Sequence, residues 1–170
     1  MTEPTDAGGA TLLRDYLNSQ RKHVLGIIEG LDEQAMRRPV LPSGWTCLGL
    51  VNHLALDVER FWFRAAVAAE QAVIDDLAVS QEDAWHAGPD VSVEAVLKRY
   101  RDEIERANVI IQATSIDAAP AWWPDFFGDW RMDDLREILL HVITETACHA
   151  GHLDAARELI DGKQWLVLTD

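Results

Sequence analysis

One stretch decides the reading of this chain: Asp133-Asp134-Leu135-Arg136-Glu137-Ile138-Leu139-Leu140-His141-Val142-Ile143-Thr144-Glu145-Thr146-Ala147-Cys148-His149-Ala150-Gly151-His152-Leu153-Asp154-Ala155-Ala156-Arg157-Glu158-Leu159-Ile160-Asp161-Gly162. Its spacing predicts a long helix over 133–161. Asp133 and Asp134 sit at the positive end that a helix dipole offers to acids, and Gly162 is a C-terminal stop signal. An α-helix advances ~100° per residue. With His141 set at zero, Glu145 falls at about 40°, His149 at about 80° and His152 at about 20°. Three imidazoles and one carboxylate thus share a narrow face, close to the apolar stripe of Leu135, Ile138, Leu139 and Val142. Polar groups turned toward a core are costly without partners. Imidazole nitrogen and carboxylate oxygen are good ligands for a divalent ion, and Glu145 and His149 have the four-residue spacing that chelates one ion from a single helix.

Outward from that helix, three more long helices are expected. The first spans about 10–31, with Leu12, Leu13, Tyr16, Leu17, Val24, Ile27 and Ile28 at helical spacing and Gly30 at its stop. The second spans about 47–71, capped by Thr46, with Leu50, Leu54, Val58, Phe61 and Ala65 on its apolar face. The third spans about 93–114, capped by Ser92, with a core stripe through Val96, Leu97, Tyr100, Ile104, Ala107 and Ile111. Its charged residues, among them Lys98, Arg99, Glu103 and Arg106, read as a solvated face. The acidic connection over 73–88 has room for a short helix. The loop over 115–132 holds Trp122, Trp123, Phe126, Phe127 and Trp130, and so many aromatics seek burial rather than disorder. The tail, with Trp165, Leu166, Val167 and Leu168, is expected to fold back on the helices. No strand pattern is present. The reading is all-α: a four-helix bundle with long crossover connections, one domain over residues 1–170, in a helix order that spacing leaves open.

Composition narrows the function. The chain has 170 residues, with 15 Lys and Arg against 29 Asp and Glu, a net charge of −14. Nucleic acid and anionic membrane surfaces need a basic footprint, so neither is an expected partner. No apolar run reaches the ~20 residues of a membrane span. Residues 1–9 carry no basic and apolar leader pattern. The two cysteines, Cys47 and Cys148, make no disulfide framework. The expected location is the cytoplasm.

Metal sites in bundles are built from inward side chains of different helices. The second helix offers His53, flanked by apolar Leu50 and Leu54. His53, Glu145 and His149 would make a three-ligand set, which leaves a position open for water or substrate. Each part alone has a plainer reading: a histidine bonded within the core for His53, an exposed helix pair for Glu145 and His149. His141 and His152 are read as groups supporting the ligands or substrate. Asp57, one turn beyond His53, is a candidate to orient it, and Arg60 is a candidate substrate contact. His23 and His86 lie in charged or loop surroundings and read as surface groups. Cys148 is ~100° from His149 on the helix, so neither cysteine is assigned as a ligand.

The chain resembles the DinB/YfiT-like superfamily of metal-binding four-helix bundles, and within it the actinobacterial branch of mycothiol-dependent enzymes. Two blocks carry the resemblance. One is Ser43-Gly44-Trp45-Thr46 with Gly49-Leu50-Val51-Asn52-His53-Leu54 and Glu59-Arg60-Phe61-Trp62-Phe63. The other runs from Asp134-Leu135-Arg136 through His141, Glu145, His149-Ala150-Gly151-His152 and Arg157 to Gly162. The wider superfamily usually pairs a histidine on helix two with His-x-x-x-His on helix four. Here Glu145 replaces the first histidine of that pair, as in the branch similar to mycothiol-dependent maleylpyruvate isomerase. His152 stands where the wider family often has glutamine. The resemblance implies a metal on His53, Glu145 and His149, zinc above all, with nickel or another ion in some members. It also implies mycothiol as thiol cosubstrate and a homodimer. The expected activity is a thiol S-transferase acting on an electrophilic small molecule, with no protein nucleophile. Trp122, Trp123 and Trp130 would pack in the core or wall the pocket. The competing readings are a thiol-dependent isomerase or metal-dependent hydrolase on the same site, and a non-catalytic binder of metal or small molecules.

Overall fold

A computed structural model describes residues 7–79 and 83–166, and every regular element among them is helical. In chain order these are α1 (Ala7–Ile28), the single turn α2 (Glu33–Met36) and α3 (Cys47–His53), which runs without a break into a π-helix (Leu54–Val67). They are followed by α4 (Gln71–Val79), α5 (Val93–Ala113), a 3-10 turn (Asp125–Phe127) and α6 (Leu135–Asp161). The long rods are α1, the α3–π helix, α5 and α6, an all-α bundle as the spacing predicts. The short α4 fills the room foreseen in the acidic connection, whereas α2 was not anticipated.

Local chemistry sets the ends. The Thr46 hydroxyl accepts from the Gly49 N–H at 3.0 Å, and the Ser92 hydroxyl accepts from Ala95 N–H at 3.1 Å. Asp134 caps α6, accepting from Glu137 N–H at 2.9 Å, while Asp133 N–H donates back to the Glu137 carboxylate at 2.8 Å. The Asp134 cap starts α6 at Leu135 rather than at Asp133, and Glu137 turns back onto the residue before the cap. Gly162 closes α6 at φ 77°, its N–H donating to Glu158. The second rod stops at Val67, short of the expected 71, because Ala69 turns left-handed at φ 49°.

The π-helix is buried around much of its circumference. Val58, Phe61, Trp62, Phe63, Ala65 and Ala66 are all inside, so the single expected stripe was too narrow: this rod is the centre of the core. α1 lies along α6, and α5 along the π-helix. The Arg157 guanidinium reaches the Ile27 carbonyl at 2.5 Å, joining the C-terminal parts of α1 and α6. Those two rods therefore run the same way. Asn52 with Arg99, and Arg64 with Glu103 further along both helices, show the α3–π helix and α5 also running the same way. A parallel pair of consecutive rods requires the long crossover through α4.

Two features correct the picture of a wholly solvated charged face. Glu103 of α5 is only 8% exposed and accepts from Arg64 at 2.8 Å. Arg99 donates to the Asn52 side chain at 2.5 Å. Deeper still, Arg21 of α1 and Glu59 of the π-helix form a two-pronged pair at 2.7 and 2.6 Å, with both side chains almost fully buried. Asn18 and Asn108 accept from the remaining Arg21 nitrogen at 2.9 and 2.8 Å.

The tail folds back as far as Leu166. The Asp154 carboxylate, buried in α6, accepts the backbone N–H groups of Trp165 and Leu166 at 2.7 and 2.9 Å. The Trp165 indole donates to His23 Nδ1 at 3.0 Å, which gives that histidine a structural partner. Val167 and Leu168 lie outside the described residues. No helix among the described residues is long and apolar enough to cross a membrane.

Candidate metal centre

His53 is the last residue of α3, and Glu145 and His149 occupy adjacent turns of α6. Bringing the two helices together places Glu145 Oε1 at 3.1 Å from His149 Nε2 and 3.7 Å from His53 Nε2. All three candidate ligand atoms lie within 4.8 Å of one another. A tetrahedral ion with bonds near 2.0–2.1 Å separates its ligand atoms by roughly 3.3 Å, so these spacings suit one ion. Both imidazole side chains are 11% exposed. His53 Nε2 is fully buried and has no hydrogen-bond partner. Leaving such an atom unsatisfied costs about 1–3 kcal/mol, and a cation at the centre of the trio would remove that cost.

The outer atoms of both rings have partners. His53 Nδ1 lies 2.9 Å from Asp57 Oδ2. With Nδ1–H donating to that carboxylate, the Nε2 lone pair faces Glu145, the tautomer a metal ligand needs. His149 Nδ1 is 3.4 Å from His152 Nδ1, and His152 in turn lies near the Trp45 ring, 6.3 Å between centroids. Burial holds His149 below the ordinary histidine range; His53 adds to this and Glu145 opposes it. The neutral, ligand-ready ring is therefore favoured.

The two other sequence candidates have their contacts elsewhere. His141 packs edge-on against Trp62, 4.9 Å between centroids, and near Trp130 at 6.0 Å. It shares a helix face with His149, but eight residues of rise separate them by about 12 Å. Burial lowers its pKa, with Glu145 pulling the other way. Arg60 pairs with Asp76 of α4 at 2.8 Å. Trp122, Trp123 and Phe127 are partly buried against the core, while Trp130 and Phe126 remain exposed. His86 is exposed and paired with Asp83 at 2.6 Å, a surface group as read.

Trp85 is the residue that sequence reasoning missed. Its indole stacks on His53 at 4.2 Å and 19°, and meets His149 edge-on at 5.5 Å. Asp83 accepts the Trp85 N–H at 2.9 Å, and the Ala84 carbonyl accepts from Asn52 at 2.8 Å, so the connection is pinned onto α3. The close approach depends on Gly49, one turn before His53: a Cβ there would lie 2.0 Å from the Trp85 carbonyl oxygen. A glycine inside an apolar helix just ahead of a histidine was the available signal. Gly49→Ala is expected to push the Trp85 segment away and destabilise the fold by about 1–3 kcal/mol. Denaturant unfolding checks the stability, and titration with zinc checks whether the loosened His53 still binds.

The cysteines stand apart from the trio. Cys47 is buried, which pushes its thiol up to about 11. Cys148 is exposed on α6. Alkylation of the folded protein at neutral pH should therefore modify Cys148 alone, and Cys47 only after denaturation, as mass spectrometry of the two cysteine peptides will show. Raising the pH should increase the Cys47 thiolate fraction only well above the neutral range.

A family model described as mycothiol-S-transferase matches residues 12–162. The chain belongs to the mycothiol-S-transferase family. The matched span runs from α1 to the Gly162 cap and takes in the trio, Asp57, Trp85 and His152. No curated protein matches significantly, and no solved structure does so either. Membership of the mycothiol-S-transferase family supports a function of that kind, and the family's name implies a thiol as one substrate.

Proposed function

We propose that this chain is a metal-dependent S-transferase that joins mycothiol to an electrophilic small molecule at an ion held by His53, Glu145 and His149. The observation that carries the reading is the buried, unpartnered His53 Nε2 aimed at the other two ligand atoms, in a chain of this family. Two nitrogens and one oxygen suit zinc, and nickel accepts the same donors. Bound there, such an ion supplies the Lewis acidity that keeps a coordinating thiol deprotonated near neutral pH.

The protein's own contribution is positioning. Asp57 fixes the His53 tautomer, and His152 backs His149 from outside. Trp85 covers the His53 ring face and shields that side from water. The Glu145 side chain is 36% exposed, so the cluster opens on its side and reactants approach there. In the net reaction the thiol gives its proton to solvent. Its sulfur forms a bond to the electrophilic carbon, and the leaving group departs with the electron pair of the broken bond.

The test is conjugate formation from mycothiol and chlorodinitrobenzene, followed by absorbance. Turnover should disappear on chelation and return with added zinc or nickel. Absence of conjugate with mycothiol and with every other cellular thiol tried would overturn the reading.

A further inference from the structure

A groove of about 310 Å³ is lined by Asp57, the partner of His53, with Phe61, Trp62, Leu77, Phe126 and Phe127. Its size is at the small end of ligand sites. Three elements build it: the π-helix, α4 and the aromatic loop. The loop is anchored by the Trp122 N–H, which donates to the Ala66 carbonyl near the end of the π-helix at 3.0 Å. Trp62 lies parallel to Phe127, 5.8 Å and 8° apart, and Phe61 meets Phe127 edge-on at 5.9 Å. The walls are thus ring faces and ring edges held by one another. Phe126 stands among these rings with 70% of its surface exposed, where a bound ring could pack on it.

Two of the groove's lining residues touch histidines of the candidate site. Asp57, which lines it, holds His53 Nδ1 at 2.9 Å. Trp62, which also lines it, touches His141, one turn before Glu145 on α6. The single charged group in the lining is the Asp57 carboxylate, and the chain is strongly acidic overall. Ring faces and edges favour a flat π-system, and a carboxylate in the lining disfavours an anion.

From this we infer that the groove is the binding site of the second substrate, and that it selects small, flat, aromatic electrophiles that carry no negative charge. The inference rests on the transferase reading for the word electrophile, and its test is therefore made on binding without thiol or turnover. Equilibrium dialysis of the zinc-loaded protein with dinitrotoluene, which is unreactive here, should show saturable binding at one site per chain. Dinitrobenzoate, the same ring bearing a carboxylate, should bind at least about tenfold more weakly. Phe126→Ala, at an exposed position that folding tolerates, should weaken dinitrotoluene by about tenfold. Leu77→Lys, in the α4 part of the lining, should weaken it as well.

Equal binding of the two ring compounds, or dinitrotoluene binding untouched by both variants, would overturn the inference whatever the enzyme's turnover. Saturable, variant-sensitive binding in a protein that never forms a thiol conjugate would uphold the groove and overturn the transferase reading instead. Where turnover is present, Phe126→Ala should raise KM for chlorodinitrobenzene and leave KM for iodoacetamide, which has no ring, unchanged. A parallel rise for both electrophiles would assign Phe126 a merely structural role.

Discussion

His53→Ala is expected to abolish zinc binding and thiol-conjugate formation together. The substitution removes one of three candidate ligands from a site where the remaining two, Glu145 and His149, come from a single helix. Loss of a group that merely supports a ligand already costs roughly 10–100-fold in metal affinity, so loss of a ligand should weaken zinc by on the order of 100-fold or more on the same scale. Glu145→Ala should behave alike. Metal analysis of the purified variants, beside thiol-conjugate formation, reads both effects. The fold should persist, because His53 leaves its partners Trp85 and Asp57 in place and its removal abolishes an unsatisfied buried nitrogen. Unchanged metal content in both variants would put the ligands elsewhere.

Glu59→Ala is expected to be the most damaging substitution for stability. Arg21 and Glu59 are 2% and 1% exposed and share two short hydrogen bonds. Deleting the carboxylate leaves a guanidinium in the core with the Asn18 and Asn108 carbonyls as its remaining hydrogen-bond acceptors among the described residues. Breaking a buried pair in this way costs roughly 3–5 kcal/mol. Replacing both members by apolar residues of similar volume should recover much of that, since the desolvation of two charges disappears with their attraction. Denaturant midpoints of Glu59→Ala and of the Arg21→Met, Glu59→Leu double variant decide it. A double variant as unstable as the single one would show that the pair contributes more than mutual neutralisation.

The parts of this protein that were legible in sequence are those governed by neighbours along the chain. Caps at Thr46, Ser92 and Asp134 follow from short polar side chains ahead of apolar periodicity. The Gly162 stop follows from the left-handed turn that glycine tolerates. The shared face of Glu145, His149 and His152 follows from helical pitch alone. His141 shares that face too, but angle around a helix says nothing of distance along it, and its ring packs on Trp62. The π-helix escaped notice because its sequence is continuous with that of an ordinary apolar helix. The buried Glu103 was misjudged because its neutralising partner, Arg64, belongs to another rod.

Trp85 illustrates the same limit at the candidate site. It sits in an acidic, aperiodic connection, and nothing nearby in sequence says which surface it will meet. Its place on His53 is set by the Gly49 gap and by Asn52 on a different element. The groove is a further case: Asp57 and Phe61 are neighbours in sequence, but Leu77 and Phe126 reach them only through α4 and the aromatic loop.

By itself, then, the sequence determined four amphipathic rods, their caps, and a carboxylate and imidazoles in phase on the last rod, because hydrogen bonding and pitch within one helix depend on residues a few positions apart. The tertiary structure alone decided that the α3–π helix and α5 run parallel, and that α3 brings His53 to within 3.7 Å of Glu145. It also decided that Asp57 closes the far side of His53 and that Trp85 covers its ring. Those outcomes depend on how buried faces of distant segments fit together, and no local periodicity encodes that fit.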